Sequence, residues 1–435
     1  MEAGLFRFLR FSLGLEGEAK GLLDGRKGSF DWDACYQFAK RQTLVGVLFD
    51  GIQRLPKELA PARPLLLRWL SDSESIRRRN MRIDRASAYI YNKVCAAGFR
   101  CCILKGQGNA LLYPHPSSRT PGDVDVWVMA NREELRHIVL SLTEGDGSSL
   151  QESLNHIGLT VHGVSVELHS TPALLNSPLH NSRLQKWLKR NADLQCSNRI
   201  ALPNNAGEVA VPTVSFNIIY QLCHLFHHCF YEGVGLRQIV DYYFVLMNTD
   251  FTDNTDRIGG NAESDGSLMN TDCTDFTDSS SGDFEGDGCL LNTDCADFLD
   301  SSSGGLGEVD SGGALVALQE ELKWLGLGEF AGAVMYVLRE VMGLDEKRMI
   351  CAPDERRGRL LLEEIMAGGN FGHYDTRNHF GQGALWHNIQ RFRRDWRMLR
   401  FYPSEALSEP LFRAWHFLWR WKQKHIGMPK ERNLN

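Results

Sequence analysis

Two aspartates one residue apart, Asp123 and Asp125, are the strongest chemical signal in the sequence. They lie in Gly122-Asp123-Val124-Asp125-Val126-Trp127-Val128. Strict alternation predicts a strand over 123–129, and alternate residues of a strand share a face. Val124, Val126 and Val128 then enter the core, and the two carboxylates project together from the other face. Neighbouring like charges repel, and nothing in a strand asks for them. A divalent cation between them explains the pairing. The bland alternative is a solvated strand face. A second alternating run, 164–170, sends Val164, Val166 and Leu168 inward and Ser165, Glu167 and His169 outward. Glu167 would supply a third carboxylate. Three carboxylates from two strands can hold one or two Mg²⁺ ions, which favour carboxylate and phosphate oxygens.

Groups suited to phosphate lie just upstream. Leu104-Lys105-Gly106-Gln107-Gly108 reads as a strand running through glycine into a helix. Amides at a helix start bind anions, and glycine permits close approach. Lys105 adds a point charge, and Arg119 offers a phosphate clamp beside Gly122. Other polar residues are expected around a substrate pocket. His224, His227 and His228 fall at i, i+3 and i+4, close to zinc spacing, but no Cys or Glu cluster accompanies them. Polar packing or a substrate contact is therefore the main reading. Arg237 and Asp241 are spaced for a salt bridge within one helix, with a pocket role as the alternative. Gly368-Gly369-Asn370-Phe371-Gly372 reads equally as a tight turn or a loop closing on a ligand.

The elements that must position these residues are mostly helical. Residues 31–55 have helical apolar spacing with Asp31 as N-cap, and 64–96 form a longer amphipathic pattern with a basic stripe at 77–85. A short buried strand is expected within 99–106. A one- to two-turn helix follows over 108–114, stopped by Pro114. The 131–142 segment is a helix capped by Asn131. Residues 156–161 and 164–170 form a hairpin turning at His162-Gly163. Helices then occupy 213–247, 313–345, most of 355–367 and 384–425. In the last of these, Phe412, Trp415 and Trp419 share one face, read as a buried stripe beneath a basic surface. A nucleic-acid surface is the weaker alternative.

Composition removes whole classes. The chain has 435 residues, 43% hydrophobic and 10% aromatic, as a folded core requires. No run approaches the about 18 uncharged apolar residues of a membrane span. Arg7 and Arg10 interrupt the apolar N-terminal stretch, which argues against a signal peptide. The eleven cysteines show no CxxC spacing and read as reduced core residues of a cytoplasmic protein. The net charge of −6 conceals two parts. Residues 246–311 carry 16 acidic residues against Arg257 alone, a net −15, so the other 369 residues carry +9. This tract is three copies of a 22-residue repeat starting at Leu246, Leu268 and Leu290. Each copy has too few large apolar residues to offset its ordering entropy and reads as a flexible surface insert. Its aspartates recur three apart, unlike the two-residue spacing of an EF-hand loop.

The 104–128 segment, LKGQGNALLYPHPSSRTPGDVDVWV, resembles an uncharacterised bacterial nucleotidyltransferase family of the polymerase-beta-like superfamily. Gly106, Asp123, Asp125 and Glu167 match the superfamily's glycine junction, D-x-D strand and third carboxylate. The resemblance extends to 224–243 and 368–377. One departure is that Lys105-Gly106-Gln107 stands where the superfamily has Gly-Ser. The resemblance implies an α+β fold, with a small mixed sheet set between helical regions. The expected divisions are 1–97 helical, 98–195 nucleotidyltransferase core, 196–247 helical, 248–312 acidic insert and 313–435 helical. The resemblance further implies an Mg²⁺-dependent enzyme that uses an NTP, with ATP the expected donor, while the family's base preference does not transfer. Asp123, Asp125 and Glu167 would be metal ligands and catalytic groups. Lys105, Gly106, Gln107, Arg119 and Gly122 would bind nucleotide, with His169, His224, His228, Arg237 and Asp241 around a hydroxyl acceptor. A small molecule or saccharide is the leading acceptor. A protein hydroxyl is the alternative, and a non-catalytic nucleotide- or RNA-binding module is the reading from another class.

Overall fold

The computed structural model describes residues 2–17, 30–143, 150–249, 311–375, 377 and 384–426. Apart from the opening residues of the first copy and the last residue of the third, the acidic repeats lie outside the described residues. The calcium and flexible-insert readings fall there too. The fold is mixed α and β. A five-stranded mixed sheet lies within a larger set of helices.

The chain enters through α1 (Glu2–Ser12), α2 (Trp32–Arg41) and α3 (Val45–Gln53). Asp31 caps α2, accepting from the Ala34 amide at 2.9 Å. The expected continuous helix over 31–55 breaks, however, at Thr43, which takes φ 54°. The broken turn is held from outside. The Gln42 side chain donates to the Ile365 carbonyl at 3.0 Å and accepts from the Leu236 amide at 2.9 Å. Tertiary hydrogen bonds thus override local periodicity.

Next comes α4 (Arg63–Ala96), 34 residues long with Pro64 in its first turn. Trp69, Ser73, Asn80, Ile83, Ser87, Ile90 and Val94 recur at helical spacing on its buried face. Asn80 donates to the carbonyls of Ser117 and Arg119, both at 2.9 Å, and so holds the loop leading to Asp123. On the loop's other side, a side chain at Gly46 would meet the Ser118 carbonyl oxygen at 2.2 Å. Only glycine lets α3 pack that closely.

The sheet contains β1 (Cys101–Leu104), β2 (Val124–Val128), β3 (Gln151–Glu152), β4 (His156–Val161) and β5 (Val164–His169), in the order β1-β2-β5-β4-β3. Only β2 and β5 are parallel. Between them runs α6 (Arg132–Leu142), started by a capping box of Asn131 and Glu134. The β4–β5 turn has positive φ at both His162 and Gly163, as a two-residue hairpin requires. All five residues of β2 are buried. The outward face is therefore not simply solvated. Trp127 stacks on Phe216 of α8 (Val214–Tyr231), ring centroids 5.8 Å apart.

Besides β3, the elements not expected from sequence are α7 (Pro178–Ser197) and the hairpin of β6 (Arg199–Leu202) and β7 (Gly207–Ala210), which lies where a helical region was expected. After α8, α9 (Leu236–Met247) ends as the first repeat begins. Leu246 and Thr249 are still buried. The helices α10 (Ser311–Trp324), α11 (Gly328–Met342), α12 (Glu355–Gly368), α13 (Ala384–Leu399) and α14 (Pro403–Ile426) complete the fold. The aromatic stripe on α14 is not buried as expected. Trp415 is 51% exposed, Phe412 and Trp419 are half-buried, and Phe417, Leu418 and Trp421 are exposed. Cys35, Cys101, Cys102, Cys223 and Cys229 are buried free thiols, as the composition implied.

Candidate active site

Strand register brings the carboxylates together. In the parallel pair, Asp125 lies opposite Glu167 and Trp127 opposite His169. Asp123 precedes β2 on the face it shares with Asp125. One carboxylate oxygen from each of Asp123, Asp125 and Glu167 lies within 4.8 Å of the others. The three acids therefore converge, as a shared cation requires.

Their environments differ. Asp125 is buried, which pushes its carboxyl up, but Lys105 and His169 outweigh this and hold it well below the usual range. Lys105 Nζ lies 3.0 Å from Asp125 Oδ2. His169 Nε2 lies 2.9 Å from Asp125 Oδ1 and 3.3 Å from Glu167 Oε2. Burial also raises Glu167, and again the hydrogen bond from His169 and the nearby His156 reverse it. Asp123 is exposed at the cleft, yet surrounding protein desolvates its carboxyl and Asp125 repels its charge. Both raise its pKa. Three carboxylates share one lysine. An oxygen-seeking divalent cation fits this donor set and would relieve the repulsion felt at Asp123.

Lys105 takes φ 48° between β1 and α5 (Gly106–Ala110). The helix expected at 108–114 starts two residues earlier and lasts one turn, because the chain reverses sharply at Lys105. Besides Asp125, Lys105 reaches His224 Nε2 at 3.3 Å. His228 Nε2 lies 3.0 Å from the same atom. Burial, and then the Lys105 charge, depress His224 far below its ordinary value. Neutral His224 with its proton on Nδ1 has one lone pair at Nε2, to which Lys105 or His228 can donate. Burial and His228 likewise lower His227 to about 3. These three histidines form no metal-holding group among the described residues.

A cleft opens beside the carboxylates. Lys105, Gly106, Arg119, Gly122, Asp123, Asp125, His224, Arg237 and Asp241 line it. Gln107, Glu167, His169 and His228 do not. The Gln107 amide instead turns to Asp84 of α4, with which it makes a short hydrogen bond. The salt bridge expected between Arg237 and Asp241 is replaced by a longer-range one. Arg119 Nε and Nη2 donate to the two Asp241 oxygens, each at 2.7 Å, and Tyr113 adds a third bond at 2.7 Å. Arg119 meets the Asp241 carboxylate with two parallel charge-assisted hydrogen bonds, the stronger bidentate geometry. Arg237 donates to the Thr120 carbonyl at 2.9 Å, and its Nη1 lies 3.8 Å from where a Gly122 side chain would begin.

A family model described as an uncharacterised nucleotidyltransferase matches residues 28–264. The chain belongs to this family. No curated protein and no solved structure matches it. As a member of the nucleotidyltransferase family, the chain is a nucleotidyltransferase, and an NTP is its implied substrate. The match covers the sheet, α8 and α9 and ends inside the first acidic repeat. The 368–377 segment therefore lies beyond it. Among the described residues no helix is long and apolar enough to cross a membrane.

Sequence reasoning missed several residues of this nucleotidyltransferase cleft. Asn109 and Gln221 line it and exchange two hydrogen bonds, at 3.1 and 2.9 Å. Isolated amides give no sequence signal. Phe371 also lines it, with φ 51° and its ring 5.0 Å from that of His228. The Gly-rich 368–372 segment was the available clue. It is a turn from which Phe371 reaches the cleft.

Proposed function

We propose that this nucleotidyltransferase moves a nucleoside monophosphate from an NTP, ATP in the first instance, to a hydroxyl of a small molecule or saccharide. The convergence of Asp123, Asp125 and Glu167 beside a cleft that also holds Lys105, Arg119 and Arg237 carries this reading. A non-catalytic binding module has no need to gather three carboxylates and would leave them apart. Asp123, Asp125 and Glu167 would hold Mg²⁺, with two ions the expected number. Bound Mg²⁺ supplies neutralising charge for phosphate oxygens and lowers the pKa of a nearby hydroxyl.

The chain's own residues do the rest. Glu167, held ionised by His169, takes the proton of the attacking hydroxyl. The hydroxyl oxygen bonds to the α-phosphorus, the bond from that phosphorus to the bridging oxygen breaks, and pyrophosphate leaves. Lys105 and Arg237 stabilise phosphate charge, and Gly106 and Gly122 keep the backbone close. Arg119 has Nη1 left without a partner, while its other two nitrogens orient it through Asp241. His224 and Phe371 bound the acceptor side. The repeats within 248–311 are a passenger in this scheme, and their deletion is expected to leave transfer intact.

The test is incubation of the purified chain with each α-labelled NTP, Mg²⁺ and cell extract. Label is expected in a small-molecule fraction and absent when Asp123→Asn and Asp125→Asn are combined. Label in protein would move the acceptor to a polypeptide hydroxyl. Equal labelling by the double variant would overturn the assignment.

A further inference from the structure

We propose that His156, Glu167 and His169 form a second cation site, selective for a transition metal of the Zn²⁺ or Co²⁺ class over Mg²⁺. The inference depends on the proposed activity only in that Glu167 serves both sites.

The hairpin register sets His156 directly across from His169, with ring centroids 5.0 Å apart. Glu167 stands two residues before His169 and therefore on the same face. Both imidazoles turn Nε2 toward this carboxylate. His156 Nε2 lies 3.6 Å from Glu167 Oε1, and His169 Nε2 lies 3.3 Å from Glu167 Oε2. One ligand atom from each residue falls within 4.8 Å of the other two.

Hydrogen bonding accounts for this arrangement poorly. The His156 contact is too long to be a hydrogen bond. His169 Nε2 carries at most one proton, yet faces Asp125 at 2.9 Å as well as Glu167. The Nδ1 atoms of both rings are buried with no hydrogen-bond partner, although His169 is only 5% exposed. Without a cation, His169 Nε2 carries the proton that Asp125 and Glu167 share. When a cation binds, the proton sits on Nδ1, each ring offers a lone pair at Nε2, and the cation accepts both lone pairs and the carboxylate together.

Donor chemistry sets the selectivity. Two imidazoles and one carboxylate suit Zn²⁺, Co²⁺ or Fe²⁺, whereas Mg²⁺ favours oxygen ligands alone. The all-carboxylate triad on the other side of Glu167 has the opposite preference. Three protein ligands also leave a tetrahedral ion one open position.

The test is titration of the full-length chain with Co²⁺, followed by its visible absorption, with and without excess Mg²⁺. The expected result is a tetrahedral-type band that excess Mg²⁺ does not remove. His156→Ala and His156→Gln should each weaken Co²⁺ binding by more than about 10-fold, the least that even outer-shell partners of a metal contribute. Asp123→Asn should retain the band. Erasure by Mg²⁺, or an unchanged affinity in a folded His156 variant, would overturn the site, leaving His169 as a positioning residue for Asp125 and Glu167. Nucleotide transfer is assayed in parallel. Transfer without a His156-dependent band removes only this second site. A band without transfer from any NTP removes only the proposed activity.

Discussion

Two carboxylate sites, Asp241 with its partners and the triad of Asp123, Asp125 and Glu167, stand at the same cleft and are built on opposite principles. Asp241 is buried and closed: Arg119 and Tyr113 satisfy it with three hydrogen bonds of 2.7 Å. Its burial would raise its pKa, but Arg119 outweighs that and lowers it. Asp123, Asp125 and Glu167 are open: three acids share Lys105 and His169, and Asp123 is left with a raised pKa. A closed cluster positions its neighbours, whereas an open one is ready to take charge from a ligand. Proximity to the cleft does not separate the two roles. The balance of charge does.

The sharpest way to break this contrast is to neutralise the open cluster. Asp123→Asn with Asp125→Asn is expected to lower kcat/KM by about 10⁴-fold or more, comparable with losing one member of a catalytic triad. Neutralising Asp123 removes repulsion, while neutralising Asp125 takes from Lys105 its carboxylate partner, so a partial loss of stability without unfolding is expected. A thermal melt beside the transfer assay checks both. Unfolding of the variant would mean that the open cluster is a structural one.

The closed cluster should answer the other way. Asp241→Ala leaves the Arg119 charge buried and unpaired, a change that costs about 3–5 kcal/mol. Urea unfolding measures it. A loss under about 1 kcal/mol would mean that water or a ligand solvates Arg119, and the pair would then resemble a surface ion pair.

How much of this was legible in the sequence follows from the range of each interaction. The strands were readable because alternation has a period of two, and D-x-D on such a strand fixes which side chains share a face. The β2–β5 pairing put Asp125 opposite Glu167, and the two alternating patterns already implied a common face. The Arg119–Asp241 pair was not readable, since 122 residues separate its members and a nearer arginine, Arg237, sat at ideal helical spacing. Gln107 shows the same limit. It sits in the phosphate-like junction, yet its partner Asp84 lies on α4. The exposed face of α14 shows the same limit from the other side, since periodicity says which residues share a face but not what covers it.

A smaller effect tests whether the cleft needs its far wall. Phe371 comes from the turn after α12, lines the cleft and packs against His228 behind it. Phe371→Ala removes an aromatic contact worth about 0.5–1.5 kcal/mol beyond area. The expected result is a rise in KM of about 10-fold with little change in kcat, as for a residue that binds ground state and transition state alike. An effect confined to kcat would place Phe371 at the reacting atoms.

A third acidic site, a pair outside the cleft, gives the smallest effect and a control for the comparison. Asp395 on α13 and Glu409 on α14 are both buried, with Arg413 Nη2 2.6 Å from Glu409 and 3.6 Å from Asp395. Burial, and then the Glu409 charge, raise the Asp395 carboxyl to about 7. The folded value exceeds the unfolded one, so the folded chain retains a proton that the unfolded chain has already lost. Stability therefore falls as pH rises from the unfolded value toward 7 and levels off above it. Asp395→Asn stays neutral throughout. Relative to the wild type it should gain progressively across that window, by under about 1 kcal/mol after solvent screening. Melts at several pH values would show the two curves separating on the alkaline side. Parallel curves would mean that Arg413 already compensates Asp395, making this pair closed like Asp241 rather than open like the triad.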